Sequence, residues 1–198
     1  MSGKVMTAIP ISSQQMTLEE YLEFDYNAEG RYEYFDYRIA ETHSESPERS
    51  LLGNRIGFLL QKKLFDKACP IYNSQVLLKI PAVSSYYRAD VSALCGNPIY
   101  EKSENQILLV NPNLIVEVLA TSTEDFQRGL KFSEYKSIES LREYILIRQD
   151  IKFVTLLSKY DEKFWLHSEY EAGETLKLES LNCELGVDEI YQGIIFES

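Results

Sequence analysis

A single carboxylate within an apolar segment is the first feature of this sequence that could support chemistry. Glu117 lies between Val116 and Val118 in residues 114–119, LIVEVL, a pattern typical of a buried strand. A buried carboxylate costs free energy unless it is protonated, paired with a cation or bound to a metal ion. Glu117 is therefore a candidate functional residue.

Cationic residues follow Glu117 on a helix predicted over 124–137. The helix is preceded by three residues of types that cap helices, Thr121, Ser122 and Thr123. Three of its own residues are spaced three or four apart and so share a face, Arg128, Lys131 and Tyr135. The pattern predicts an acid at a strand end beside a helix that bears cations. The alternative is that Glu117 faces water on an edge strand and that Lys131 is a solvated surface charge.

This segment resembles the signature of the Uma-type endonuclease family. The resemblance is carried by residues 117–136, EVLATSTEDFQRGLKFSEYK, and by 140–144, SLREY, and it extends from about Met16 to Tyr191. The family belongs to the restriction-endonuclease-like superfamily, whose active-site pattern is written PD-(D/E)XK. The resemblance implies an endonuclease that hydrolyses DNA phosphodiester bonds with Mg²⁺ or Mn²⁺ as its cofactor.

The resemblance also assigns the metal ligands. It places Asp90, in the segment YYRADV, and Glu117 on the metal ion, with the backbone carbonyl of Val118 as a third ligand. Such a donor set suits the chemistry, because Mg²⁺ prefers carboxylates, waters and substrate phosphate. The bound ion can activate water and neutralise phosphoryl charge. The alternative for Asp90 is a residue that forms the turn at a strand end.

Two further residues match the family's site. The superfamily lysine usually stands two residues after the glutamate, where this chain has Leu119, so the family pattern points to Lys131 on the helix. A lysine there could orient the attacking water or stabilise transition-state charge. Glu33, in RYEYFD, matches a glutamate that would bind a second metal ion or position its water. The alternative for Glu33 is a surface charge on an edge strand.

Several positions depart from the family pattern. Ala89 replaces a proline before Asp90, Gln127 replaces an aspartate, Tyr37 replaces a glycine, and Arg49 stands where many members have a histidine. The metal ligands and the lysine are retained, which favours the endonuclease. Two other functions stay open: a nuclease-fold protein that binds nucleic acid or a protein partner without catalysis, and a structural oligomer with an interface of aromatic strands.

The apolar periodicity predicts an α+β fold with layers of the α/β type. The predicted elements are a capped helix from Thr17 to about Asp25, strands over 31–40, 71–80, 88–95, 114–119, 144–147 and 152–158, a long helix over 48–67, and later strands over 163–168 and 175–178. The family's restriction-endonuclease-like core, a curved mixed β-sheet flanked by helices, would carry the last strands as additions. We expect a flexible arm over 1–15 and one domain over 16–198.

Charge and composition limit the possible partners. The net charge is −11, which disfavours general affinity for nucleic acid, but residues 46–158 contain 14 basic and 12 acidic side chains. No segment has the length and apolarity of a membrane span or signal peptide. Three cysteines without CxxC spacing, Cys69, Cys95 and Cys183, are predicted to be reduced thiols, and the protein to be cytoplasmic. We also expect a homodimer, because two sites related by a two-fold axis can cut both DNA strands.

Overall fold

Two six-stranded mixed sheets pack face to face, and helices cover their outer faces. The structure, a computed structural model, describes residues 15–41, 46–81, 83, 85–103, 106–119, 124 and 127–196. The predicted arm lies outside the described residues except for residue 15, as do the three predicted capping residues at 121–123. The predicted α+β class is confirmed.

The first sheet has the strand order β2-β1-β5-β4-β8-β7. Its strands are β1 (Tyr32–Phe35), β2 (Arg38–Glu41), β4 (Leu77–Ile80), β5 (Ser85–Tyr87), β7 (Tyr100–Ser103) and β8 (Gln106–Leu109). Helix α1 (Leu18–Asn27), which Thr17 and Glu20 cap as predicted, covers the outer face of this sheet.

The single strand predicted over 31–40 is wrong. The chain reverses at Asp36 and Tyr37, whose φ angles of 49° and 60° form a tight turn between β1 and β2. Both φ values lie in the left-handed region, which glycine, the residue expected at position 37 from the family pattern, adopts without steric cost. Alternation along β1 then points Tyr34 towards α1, while Glu33 and Phe35 face the second sheet.

The second sheet has the strand order β12-β11-β10-β9-β6-β3. Its strands are β3 (Ile71–Asn73), β6 (Val91–Ala93), β9 (Leu114–Leu119), β10 (Glu143–Arg148), β11 (Phe153–Lys159) and β12 (Trp165–Glu171). Strand β9 pairs in parallel with β10 and antiparallel with β6. The predicted strand over 71–80 is in fact two strands, because the chain crosses from β3 in this sheet to β4 in the other.

Helix α2 (Pro47–Lys63) covers the outer face of the second sheet. The helix ends four residues before the predicted boundary at 67, and its apolar side packs on Val116 and Val118 of β9. A hairpin of β13 (Thr175–Leu178) and β14 (Cys183–Gly186), followed by a one-turn helix at Val187–Ile190, completes this layer. No helix within the described ranges is long and apolar enough to cross a membrane.

The prediction of three reduced thiols is wrong for two of them. Cys69 and Cys95 form a disulfide with a Cα–Cα distance of 4.1 Å, while Cys183 is free. The antiparallel pairing of Ile71 with Ala93 brings these two cysteines together from 26 residues apart in sequence. A sequence spacing of that length gives no sign of the contact.

We predict that the protein denatured without reductant exposes one titratable thiol, that of Cys183, and exposes three after reduction. The disulfide protects Cys69 and Cys95 from an alkylating or thiol-exchange reagent. The measurement is a thiol count on oxidised and reduced samples, confirmed by intact mass. Three reactive thiols in material purified and denatured without reductant would contradict the pairing.

Candidate active site

The site lies between the two sheets and centres on Glu117 of β9. Side chains on β9 alternate, so Glu117 shares the inter-sheet face with Ile115 and Leu119. Its side chain is 0% exposed. Asp90 immediately precedes β6, and the pairing of Val91 with Val116 brings Asp90 alongside Glu117. The expected placement of these two carboxylates at neighbouring strands therefore holds.

Three residues spaced four apart donate hydrogen bonds to the Glu117 carboxylate. Lys131 Nζ and Tyr135 Oη lie 3.1 and 3.0 Å from Oε1, and Gln127 Nε2 lies 3.1 Å from Oε2. Within the predicted helix over 124–137, the described residues include a π-helical turn at Gln127–Lys131 followed by a short α-helix at Phe132–Tyr135. Positions four apart drift by about 40° around an α-helix. The wider π turn offsets part of that drift, so all three donors face one carboxylate.

Lys131 joins both sheets through its ammonium group. Its Nζ lies 2.7 Å from Glu33 Oε1 on the first sheet and 3.1 Å from Glu117 Oε1 on the second. The backbone N–H of Arg88 also donates to Glu33 Oε1, at 3.1 Å. The ring of Tyr87 lies beneath the ammonium, with 5.2 Å from Nζ to its centroid. Lys131 is therefore held in place from three directions.

Asp90 is held by a guanidinium group. Arg49 Nε lies 3.0 Å from Asp90 Oδ1 and Arg49 Nη2 lies 3.2 Å from Oδ2, so the pair is bidentate. The backbone N–H of Val118 donates to the same Oδ2 at 2.7 Å. Arg49 Nη2 also lies 3.9 Å from Glu117 Oε2. Oδ2 of Asp90 and Oε2 of Glu117 are thus at most 7.1 Å apart, the sum of the two distances from Nη2.

Burial governs the charge state of this cluster. It raises the pKa of Glu117 from its ordinary 4.5 to about 7, because the carboxylate form loses its hydration. The cation of Lys131 opposes that shift, while the nearby charge of Asp90 adds to it. For Lys131, burial lowers the pKa, but attraction to Glu117 and Glu33 more than offsets it, and the net direction is upward. Lys131 therefore stays charged at neutral pH.

The structure brings together all four predicted side chains, since Lys131 contacts Glu33 and Glu117, and Arg49 bridges Asp90 and Glu117. Arg128, which the spacing places on the same face as Lys131, pairs with Glu124 at 2.7 Å, and its Nη1 lies 3.4 Å from the Thr155 hydroxyl of β11. The roles of these side chains remain predictions.

Sequence reasoning missed the contacts of Arg49 and Gln127. Both positions were visible only as departures from the family pattern, and their partners lie 41 and 10 residues away in sequence. One signal was available for Arg49: a cation in the first turn of a helix is unfavourable next to the positive end of the helix dipole. Such a residue implies a nearby carboxylate.

A groove of about 520 Å³ opens beside the cluster. Asp90 and Arg49 line it together with residues of α2, β3 and the β3–β4 connection, and with Arg31 and Val91. Polar amides and an exposed aromatic ring are part of that lining, Asn54, Gln61, Asn73, Gln75 and Phe58. The groove gives Asp90 a route to solvent and leaves room for a ligand of nucleotide size.

The donors present suit a magnesium ion. Within the described part of the chain, no group of three or more His, Cys, Asp or Glu residues could hold a metal ion by side chains alone. Mg²⁺ needs only one or two carboxylates, with waters and substrate phosphate as the other ligands. The Arg49 guanidinium already places positive charge between Asp90 and Glu117. The carbonyl of Val118 lies 3.5 Å from Gln127 Nε2.

Comparison with known proteins gives one family and one fold. The profile of the Uma2 family, described as "Putative restriction endonuclease", matches residues 18–188. Two uncharacterized proteins of Synechocystis sp. are similar to the chain. The protein slr1290 is 33% identical over 182 residues, which are 92% of this chain and 94% of the relative. The protein sll1609 is 30% identical over 164 residues, which are 83% of this chain and 92% of the relative.

A solved structure supports the fold. The crystal structure of a "putative nuclease belonging to DUF820" from Anabaena variabilis matches with a TM-score of 0.73 at 13% identity, and the match covers 91% of this chain and 99% of that chain. At that identity the likeness concerns the fold alone. It confirms the predicted restriction-endonuclease-like core.

We predict that the metal-free protein loses stability between pH 5 and pH 7.5 relative to Glu117→Gln. A raised pKa means that the folded state holds the Glu117 proton more tightly than the unfolded state. That contribution is fully present below about pH 4.5 and is lost as the pH rises through about 7. It amounts to at most about 3 kcal/mol. Urea unfolding in EDTA across this range measures the effect, and parallel pH curves for the two proteins would contradict it.

Proposed function

This chain belongs to the Uma2 family of putative restriction endonucleases, and from that premise we propose that it is a metal-dependent endonuclease that hydrolyses phosphodiester bonds in DNA. The family and the nuclease-like fold support a nuclease in general. One observation carries the finer proposal: the convergence of Asp90, Glu117 and Lys131 in a buried cluster that opens to a groove.

In the proposed mechanism, Asp90, Glu117 and the Val118 carbonyl would hold Mg²⁺. The bound ion would lower the pKa of a water molecule and neutralise charge on the phosphoryl oxygens. The protein must keep the Glu117 carboxylate ionised and aimed into the site. Lys131 favours the ionised form, and Tyr135 and Gln127 aim the carboxylate by fixing its two oxygens separately, at 3.0 and 3.1 Å. Such fixed donors need no reorganisation when the reaction begins.

Lys131 would act on the attacking water or on the phosphoryl charge. Its ammonium contacts the carboxylate that is proposed to bind the metal ion, with Nζ 3.1 Å from Glu117 Oε1. The same ammonium is also paired with Glu33 Oε1 at 2.7 Å. A buried cation at that distance acts in a medium of low dielectric, where its field on developing negative charge is strong. Glu33 thus becomes a residue that positions Lys131, in place of the alternative of a surface charge on an edge strand.

A second candidate function is DNA or partner binding without catalysis. The contact that favours it is the bidentate bond of Arg49 to Asp90, which engages both oxygens of a proposed metal ligand. If Arg49 never leaves, the carboxylates serve only to balance buried cations. The two candidates differ in whether the wild-type protein cuts DNA when Mg²⁺ or Mn²⁺ is supplied.

We predict that Lys131→Ala and Glu117→Gln fail in different ways. Lys131→Ala should reduce turnover of DNA by ~10²–10³-fold, the scale of removing one preorganised donor, and should leave metal affinity equal or slightly higher. Glu117→Gln should lose metal ion and activity together, because it removes a ligand. Single-turnover cleavage and calorimetric Mn²⁺ titration separate the two outcomes.

Lys136→Ala is the matched control, because its ammonium lies 5.1 Å over the Phe132 ring, outside the cluster. Circular dichroism of each variant checks that the fold is retained. Normal turnover by Lys131→Ala would refute its catalytic role. A wild-type protein that binds DNA but does not cut it with either metal would establish the non-catalytic candidate.

We also propose that the protein is a homodimer through the β11–β12 hairpin. Strand β12 ends the order of its sheet, and three large apolar side chains on this hairpin are exposed, Tyr160, Phe164 and Leu166. An exposed edge with apolar side chains is a common pairing surface. Light scattering at tens of micromolar should give twice the chain mass for the wild type and the chain mass for Leu166→Arg. A monomeric wild type would refute this proposal.

A further inference from the structure

Arg49 occupies the space between the two carboxylates that would hold the metal ion. We infer, as an extension that rests on the proposed metal-dependent function, that Arg49 and a divalent cation exclude each other from this site. Arg49 holds the site closed in the metal-free protein, and it leaves Asp90 when the metal ion binds. It is a positioning residue that sets how tightly the site binds its cofactor.

The contacts of Arg49 show direct competition for ligand atoms. Its guanidinium engages Oδ1 and Oδ2 of Asp90 at 3.0 and 3.2 Å, and its Nη2 lies 3.9 Å from Oε2 of Glu117. The Arg49 side chain is only 14% exposed, so water cannot easily separate the charges. Mg²⁺ approaches its oxygen ligands to about 2.1 Å. The ion and the guanidinium therefore cannot share these oxygens.

The charge balance of the cluster favours exchange. When Glu117 is ionised, three carboxylates, Glu33, Asp90 and Glu117, face two cations, Lys131 and Arg49, so one negative charge is left over. Replacing the single charge of Arg49 by a divalent ion would make positive and negative charges equal. Uncompensated buried charge is costly, so the exchange relieves an electrostatic imbalance that Arg49 cannot relieve.

The position of Arg49 on α2 allows its guanidinium to move from Asp90 into the groove. Ser46 caps the helix by accepting a hydrogen bond from the backbone N–H of Arg49, which fixes the start of the side chain in the first turn. Arg49 lines the solvent-open groove together with Gly53, one turn further on, so the groove can receive the displaced guanidinium. A phosphodiester in that groove would offer it a bidentate partner.

The test is a calorimetric Mn²⁺ titration of the full chain. Arg49→Gln removes the competing charge and should bind Mn²⁺ about 10- to 100-fold more tightly than the wild type, the range expected when charge-assisted hydrogen bonds no longer have to be broken. Arg49→Lys, with a single ammonium, should fall between them. A purely structural Arg49 predicts the opposite, because losing it would disorder the carboxylates and weaken binding.

The control is Arg55→Gln, on the same helix. Arg55 donates to the Gln192 carbonyl at 3.0 Å outside the site, so its Mn²⁺ affinity should equal that of the wild type. Thermal unfolding gives a second readout: Arg49→Gln should unfold at a lower temperature in EDTA and gain more from Mn²⁺ than the wild type gains. If Arg49→Gln does not fold, Arg49→Lys alone decides the question.

The outcomes separate this inference from the proposed function. In one outcome, the wild type binds Mn²⁺, Glu117→Gln does not, and Arg49→Gln and Arg49→Lys bind it no more tightly than the wild type. That result would overturn the role of Arg49 and leave the metal-dependent function standing. Failure of the wild type and both Arg49 variants to bind Mn²⁺ would overturn the two together. Tighter Mn²⁺ binding by the two Arg49 variants, with the affinity of Arg55→Gln unchanged, supports the exchange.

Discussion

The buried charge cluster between the sheets is the constraint on which the rest of this structure depends. Glu33, Glu117 and Lys131 are buried there, Asp90 and Arg49 are half-buried beside the groove, and each charge has a partner within the protein. Lys131 bonds carboxylates from both sheets, so their mutual placement and the charge balance are set together. Breaking one of these pairs would leave a buried charge unpaired, which typically costs about 3–5 kcal/mol. The candidate site therefore also holds the two sheets together.

The layers around the cluster explain why it can exist. Apolar residues of both sheets surround it, and helix α2 closes the outer face of the second sheet through Val116 and Val118. This surrounding core excludes water and strengthens every charge interaction inside it. The groove beside Asp90 is the exception, because it opens one end of the cluster to solvent. Substrate and metal ion would approach from that end.

Much of the site could be predicted from the sequence, because its carboxylates stand in short, distinctive segments. The burial of Glu117 could be predicted because this residue lies in an apolar run, and the family pattern pointed to Asp90 and Lys131. The α+β class of the fold followed from periodicity. The division of 71–80 between two sheets did not, since both of its strands are apolar and the crossing is a tertiary event. The π-helical turn and the partner of Arg49 were equally hidden, because each depends on contacts distant in sequence.

The central claim is that the space between Asp90 and Glu117 binds a divalent cation in place of Arg49. A crystal soaked in Mn²⁺, with anomalous diffraction measured at the manganese edge, tests it most directly. The account predicts an anomalous peak about 2.1–2.3 Å from oxygens of Asp90 and Glu117, with the Arg49 guanidinium turned into the groove. A crystal without that peak, in which Arg49 still makes its bidentate bond to Asp90, would contradict the account.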